Sequence, residues 1–148
     1  MKSIFPNGSP LYAASLDEKE VPRKPGLYEI HIGEPKDLPS PFRNILSERN
    51  QTLLYIGKAE GEDGIRQRLF RQDLMNIGHA TFFRSLGVVL AYMNNVKPLV
   101  KPLNPDSRNS NFKFKNSPEI VDWIKNHLWI GWQLTQVGEI IEKRNYDR

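Results

Sequence analysis

Two strand-like strings, each carrying a tyrosine and set 27 positions apart, constrain this chain more than any other feature, because an arginine-bearing helical segment follows the second at once. In Leu27-Tyr28-Glu29-Ile30-His31-Ile32, Tyr28, Ile30 and Ile32 share one face while Glu29 and His31 take the other. That is the period of a half-buried strand. Leu53-Leu54-Tyr55-Ile56 forms a second run and stops at Gly57. The intervening stretch holds Pro35, Pro39 and Pro41 and room for a short helix over 42–48, so the two runs are expected to pair as a hairpin. A tyrosine on a strand is by itself a packing residue. Here residues 64–72 carry Arg66, Arg68 and Arg71 with no carboxylate among them, which turns the pair toward phosphate chemistry.

Further along, the spacing predicts a helix over 65–76, a helical stretch over about 81–93, a helix over 118–128, a third strand over 129–135 and a final helix from about 136. Ser117-Pro118 supplies a cap and a first-turn proline. Ile130, Trp132 and Leu134 alternate with Gly131 and Gln133, and Val137, Ile140 and Ile141 form the apolar side of the last helix. The order of elements is α+β, in a single domain, since 148 residues suffice for one core.

Charge and composition narrow the partners. The chain has 21 Lys+Arg against 17 Asp+Glu, a net charge of +4, compatible with a polyanion. In the loop 96–116, Lys97, Lys101, Arg108, Lys113 and Lys115 oppose only Asp106; Phe112 and Phe114 alternate with two of the lysines and read first as a strand edge. The absence of cysteine removes disulfides, disulfide-linked partners and zinc-thiolate sites, and fits a reducing compartment, read as cytoplasmic. Leu11 to Ala14 is too short an apolar patch for a signal-peptide core, and no run approaches membrane-spanning length.

Gly26-Leu27-Tyr28, Tyr55-Ile56-Gly57 followed by Lys58, and Gly64-Ile65-Arg66-Gln67-Arg68-Leu69 together resemble the signature of the GIY-YIG nuclease superfamily, with Arg68 at the place of the helix arginine. Thr81-Phe82-Phe83-Arg84-Ser85-Leu86-Gly87, and Trp123 to Leu128 leading into Trp132, are similar to a restriction-enzyme-like branch. The resemblance implies a small antiparallel three-stranded sheet flanked by helices, occupying 21–148 after an N-terminal extension 1–20. It also implies a metal-dependent endonuclease that hydrolyses DNA phosphodiesters, with RNA left open as substrate. One of Tyr28 and Tyr55 would activate the water and the other position it; Lys58 and Arg68 would stabilise the transition state; Arg66, Arg71, Lys113 and Lys115 would hold flanking phosphates. A late-helix glutamate, Glu142 with Glu139 as second candidate, would hold Mg²⁺ or Mn²⁺.

A free tyrosine has a pKa near 10, so a tyrosine base needs a cation or metal beside it. Lys58, three residues past Tyr55, is placed for that. On a helical wheel Arg68 lies roughly 60° from Ile65, at the edge of the apolar stripe with Leu69. The chain departs from the family pattern at Gln72, where many members carry His or Tyr, and in having no Pro and Asn segment after Glu142. His79 is the stand-in candidate for the histidine. These departures keep a catalytically inactive nucleic-acid-binding module of the same fold as the alternative.

Overall fold

The computed structural model describes residues 1–77, 81–90, 100–102, 112–114 and 117–135. Its main sheet is antiparallel, built from β1 (Leu11–Tyr12), β2 (Gly26–Ile32), β3 (Leu53–Ala59) and β6 (Leu128–Leu134) in the spatial order β1-β6-β2-β3. α1 (Phe42–Glu48) fills the β2–β3 connection. A π-type helix (Arg66–Leu74) follows β3, then α2 (Thr81–Leu90), the small ladder β4 (Val100–Pro102) with β5 (Phe112–Phe114), and α3 (Ser117–His127), which runs directly into β6.

The α+β class, the β2–β3 hairpin and the third strand are as expected, but the sheet has four strands, not three. Leu11 and Tyr12 pair with Ile130 and Trp129, covering the edge of β6 that the hairpin leaves open. The Tyr12 ring also packs at a tilt on Trp129, with centroids 5.2 Å apart, and its hydroxyl donates to the carbonyl of Asn126 at 2.8 Å.

The expected solvent face of β2 is a second correction. Glu29 and His31 are 0% and 1% exposed, so the central strand is buried on both sides. One side is the apolar core, where Tyr28, Ile30 and Ile32 pack in a cluster with Ile65, Leu69, Phe83, Ile120, Ile124 and Ile130. The other holds a polar chain. His31 Nε2 lies 2.6 Å from Glu29 Oε1 and His31 Nδ1 2.9 Å from Thr52 Oγ1, while Glu29 Oε2 accepts from Ser3 Oγ at 2.8 Å and from the Ile4 amide at 3.1 Å. Glu29 stands opposite Gly131, and a Cβ there would come within 3.0 Å of the Glu29 Cγ. Period-2 alternation reports polarity, not exposure; the N-terminal segment and a glycine on β6 make room for two polar side chains inside.

Register fixes the relation between the tyrosines. Tyr28 is opposite Gly57 and Tyr55 is opposite Ile30, so the two rings are diagonal neighbours, with centroids 6.2 Å apart at 40°. A Cβ on Gly57 would overlap the Tyr28 ring and hydroxyl. Gly57→Ala is therefore expected to cost about 1–3 kcal/mol by overpacking, and to cost almost nothing in a Tyr28→Ala background. Urea unfolding of the single and double variants checks this; an undiminished penalty in the double variant would refute the steric account.

Candidate active site

Gly64, at φ 47°, turns the chain from β3 into the π-helix, and a Cβ there would collide with the backbone of Lys24. The first helical amides are satisfied by the segment just ahead of β2: Ile65 N donates to the Lys24 carbonyl and Arg66 N to the Pro22 carbonyl, each at 3.0 Å. An α-helix is the expectation for 65–76, whereas the chain forms π-type turns, with Met75 N reaching the Phe70 carbonyl five residues back. The consequence is geometric. Residues five apart point roughly 140° from each other on an α-helix, but lie about one turn apart where the hydrogen bonds span five residues. Arg68 and Asp73 are such a pair.

Asp73, 2% exposed, accepts a hydrogen bond from the Tyr28 hydroxyl, and the Arg68 guanidinium interacts with the same hydroxyl and with the charge of Asp73. Burial, and then the charge of Asp73, hold the Tyr28 phenol far above its ordinary pKa, so it stays protonated. Burial also pushes the Asp73 carboxyl up to about 6, with the Tyr28 hydrogen bond and the Arg68 charge pulling against that rise. Partial burial opposes the Arg68 cation, yet Tyr28, Asp73 and Tyr55 together favour it. Tyr28 is 0% exposed and touches no solvent. Tyr55 is only half-buried: its ring packs on Phe82 at 5.3 Å, and it lines an open cleft of about 730 Å³ with Lys58, Arg68 and Gln72.

The four residues expected at the centre of the site therefore gather: Tyr55, Lys58 and Arg68 at the cleft, and Tyr28 directly beneath Arg68. Lys58 lies 3.3 Å from Glu60. Arg66 and Arg71 are engaged within the chain. Arg66 donates to the carbonyls of Val21 at 2.8 Å and Lys19 at 3.2 Å, and Arg71 to Glu18 at 2.6 Å and Gln67 at 3.0 Å, with Asp63 at the cleft wall 3.5 Å away. The expected strand edge at Phe112 and Phe114 is present as β5, which includes Lys113. Lys115, His79, Glu139 and Glu142 lie outside the described residues. Among the described residues no three His, Cys, Asp or Glu side chains converge as a metal site, and no helix is long and apolar enough to cross a membrane.

Asp73 is the member of this constellation that helical-wheel reasoning misses. A signal existed: Ile65, Leu69 and Asp73 repeat every four residues, which puts an acid on the buried stripe of the helix.

A hairpin that brings Tyr55 and Lys58 together with a helix arginine at an open cleft, above a buried tyrosine, defines an α+β domain with cationic side chains at its cleft. The sequence profile of the GIY-YIG catalytic domain matches residues 26–147, and the chain belongs to that family, a family of nucleases acting on nucleic acids. No curated protein and no solved structure gives a significant match to it.

Proposed function

We propose that this protein is an endonuclease that hydrolyses DNA phosphodiester bonds at the cleft between β3 and the π-helix. The observation that carries the reading is the convergence of Tyr55, Lys58 and Arg68 on one open cleft, with Arg68 anchored from below by Tyr28. Phosphodiester hydrolysis needs an oriented, deprotonated water and cations on the charge that develops at phosphorus. Arg68 presents a planar fork suited to two phosphate oxygens, and Lys58 adds a point charge beside it.

The two tyrosines take different roles in this reading. Tyr28, buried and held neutral, positions Arg68. Tyr55, at the cleft wall with Lys58 three residues on, accepts the proton of the attacking water. Flanking phosphates fall to Lys113 and Lys115, and to Arg66 and Arg71 only if those give up their intramolecular partners. Glu142 is the proposed ligand of Mg²⁺ or Mn²⁺, and such an ion, when bound, neutralises phosphate charge and lowers the pKa of water. The described residues do not complete a metal site, so no step here depends on it. The chain has no cysteine, in keeping with action in the reducing cytoplasm.

The test is nicking of supercoiled plasmid in Mg²⁺ and in Mn²⁺, against EDTA, with Tyr55→Phe beside the unaltered protein. Loss of the proton acceptor is expected to slow nicking about 10²–10⁴-fold with the melting temperature unchanged. Full activity in Tyr55→Phe would reverse the tyrosine roles. Salt-dependent DNA binding with no nicking in any metal would favour the second reading, a non-cutting binding module, to which Gln72 at the cleft wall lends its one observation, since an amide cannot carry a proton.

A further inference from the structure

Asp73 is costly where it stands. A carboxylate that is 2% exposed would be replaced by an apolar or amide side chain if packing were its only duty. Its surroundings show what it does instead. Among the described residues, the ionisable groups acting on it are Tyr28 from β2 and Arg68 from its own helix, with Tyr55 from β3 acting on that pair. The Tyr28 hydroxyl has one proton, and it goes to Asp73. The Tyr28 oxygen is then free to accept from Arg68, which has five N–H donors and no acceptor. The guanidinium can only donate and the carboxylate can only accept, so both ends favour the same direction, from guanidinium through phenol to carboxylate.

We propose that ionised Asp73 is the positioning residue that, through the Tyr28 hydroxyl it accepts from and through its own charge, aims the Arg68 fork into the cleft. The proposal rests on the nuclease reading for what Arg68 meets there, a phosphate of the substrate backbone. Protonation of Asp73 weakens it as acceptor for the Tyr28 hydroxyl and removes the charge that draws Arg68 toward it. The fork is then released from its anchor. With the carboxyl pushed up to about 6 by burial, the release falls within the working range of pH. The π-type turn is part of the device, because it brings residue 73 round to residue 68.

The role has a signature that simple packing lacks. Asp73 titrates higher in the folded protein than in the unfolded chain, so it costs stability at pH above 6, and the cost fades as pH falls toward 4. Asp73→Asn removes that cost and keeps an oxygen for the Tyr28 hydroxyl. This variant is expected to melt about 5 °C above the unaltered protein at pH 7.5, with the difference shrinking toward pH 4.5.

The deciding experiment follows the Arg68 Nε–Hε resonance, assigned by its loss in Arg68→Lys, from pH 5 to 8 in the unaltered protein and in Asp73→Asn, with single-turnover plasmid nicking over the same range. The unaltered protein should show the resonance moving with a midpoint near pH 6, and nicking falling about tenfold per pH unit below it. Asp73→Asn should show neither the movement nor the acid limb. A flat Arg68 resonance in the unaltered protein, the same titration in Asp73→Asn, or a lower melting temperature for that variant at pH 7.5 would overturn the proposal. If nothing nicks at any pH while the Arg68 resonance still follows Asp73, the nuclease reading has failed and the positioning role stands.

Discussion

Replacing Arg68 with alanine is expected to lower single-turnover nicking by about 10²–10³-fold, the usual loss when one preorganised donor to a developing oxyanion is removed. Its side chain is exposed at the cleft and its charge interacts with buried Tyr28 and Asp73, which favours one placement of the fork before substrate arrives. Lysine at the same place keeps the charge but loses the planar pair of donors, and should recover only part of the rate. Arg68 contributes little buried surface, but its charge offsets that of buried Asp73, so the alanine variant should lose about 1–3 kcal/mol at pH 7.5 and less as pH falls toward 4. Nicking kinetics beside a thermal melt separate the two effects. Equal rates for the alanine variant and its parent would remove Arg68 from the chemistry altogether.

The second large effect concerns the opposite face of the sheet. His31→Ala should destabilise the fold by about 3–5 kcal/mol, because it leaves Glu29 Oε1 in the interior without its 2.6 Å partner. For a chain of this length that is a fall in melting temperature of about 10 °C. Thr52→Val removes only the outer hydrogen bond of the same chain, at 2.9 Å, and should cost about 1 kcal/mol. The N-terminal segment should loosen along with His31, since Ser3 Oγ and the Ile4 amide are held by the other oxygen of Glu29. Faster amide exchange at Ile4 in His31→Ala would report this. A melt within about 2 °C of the parent would mean that Glu29 finds another partner and that the pair is not what anchors the segment.

What could be read in advance follows from the range of the interaction each feature depends on. The strand pair, the short helix after Pro41, the helix before residue 128 and the strand after it are signalled by local spacing and turn chemistry, and all appear close to their expected bounds. The gathering of Tyr28, Tyr55, Lys58 and Arg68 was legible because their spacing follows the family pattern. Tertiary structure alone decided the rest. Glu29 and His31 alternate as solvent-facing residues do, and they are buried because residues 3–4, far away in sequence, close over them. β1 exists because the edge of β6 needed a partner, which no local pattern announces. The tyrosines are equivalent as letters, but the pairing of Tyr28 with Gly57 buries one ring and leaves the other at the cleft. Asp73 joins Arg68 through a helix wound in π-type turns, an arrangement that a wheel of 3.6 residues per turn cannot represent. The sequence by itself determined most of the elements through periodicities of a few residues, and the candidate side chains through their match to the family pattern. Burial, hydrogen-bond direction and the different surroundings of the two tyrosines depend on which distant segments close over each face, and only the folded chain brings those segments together.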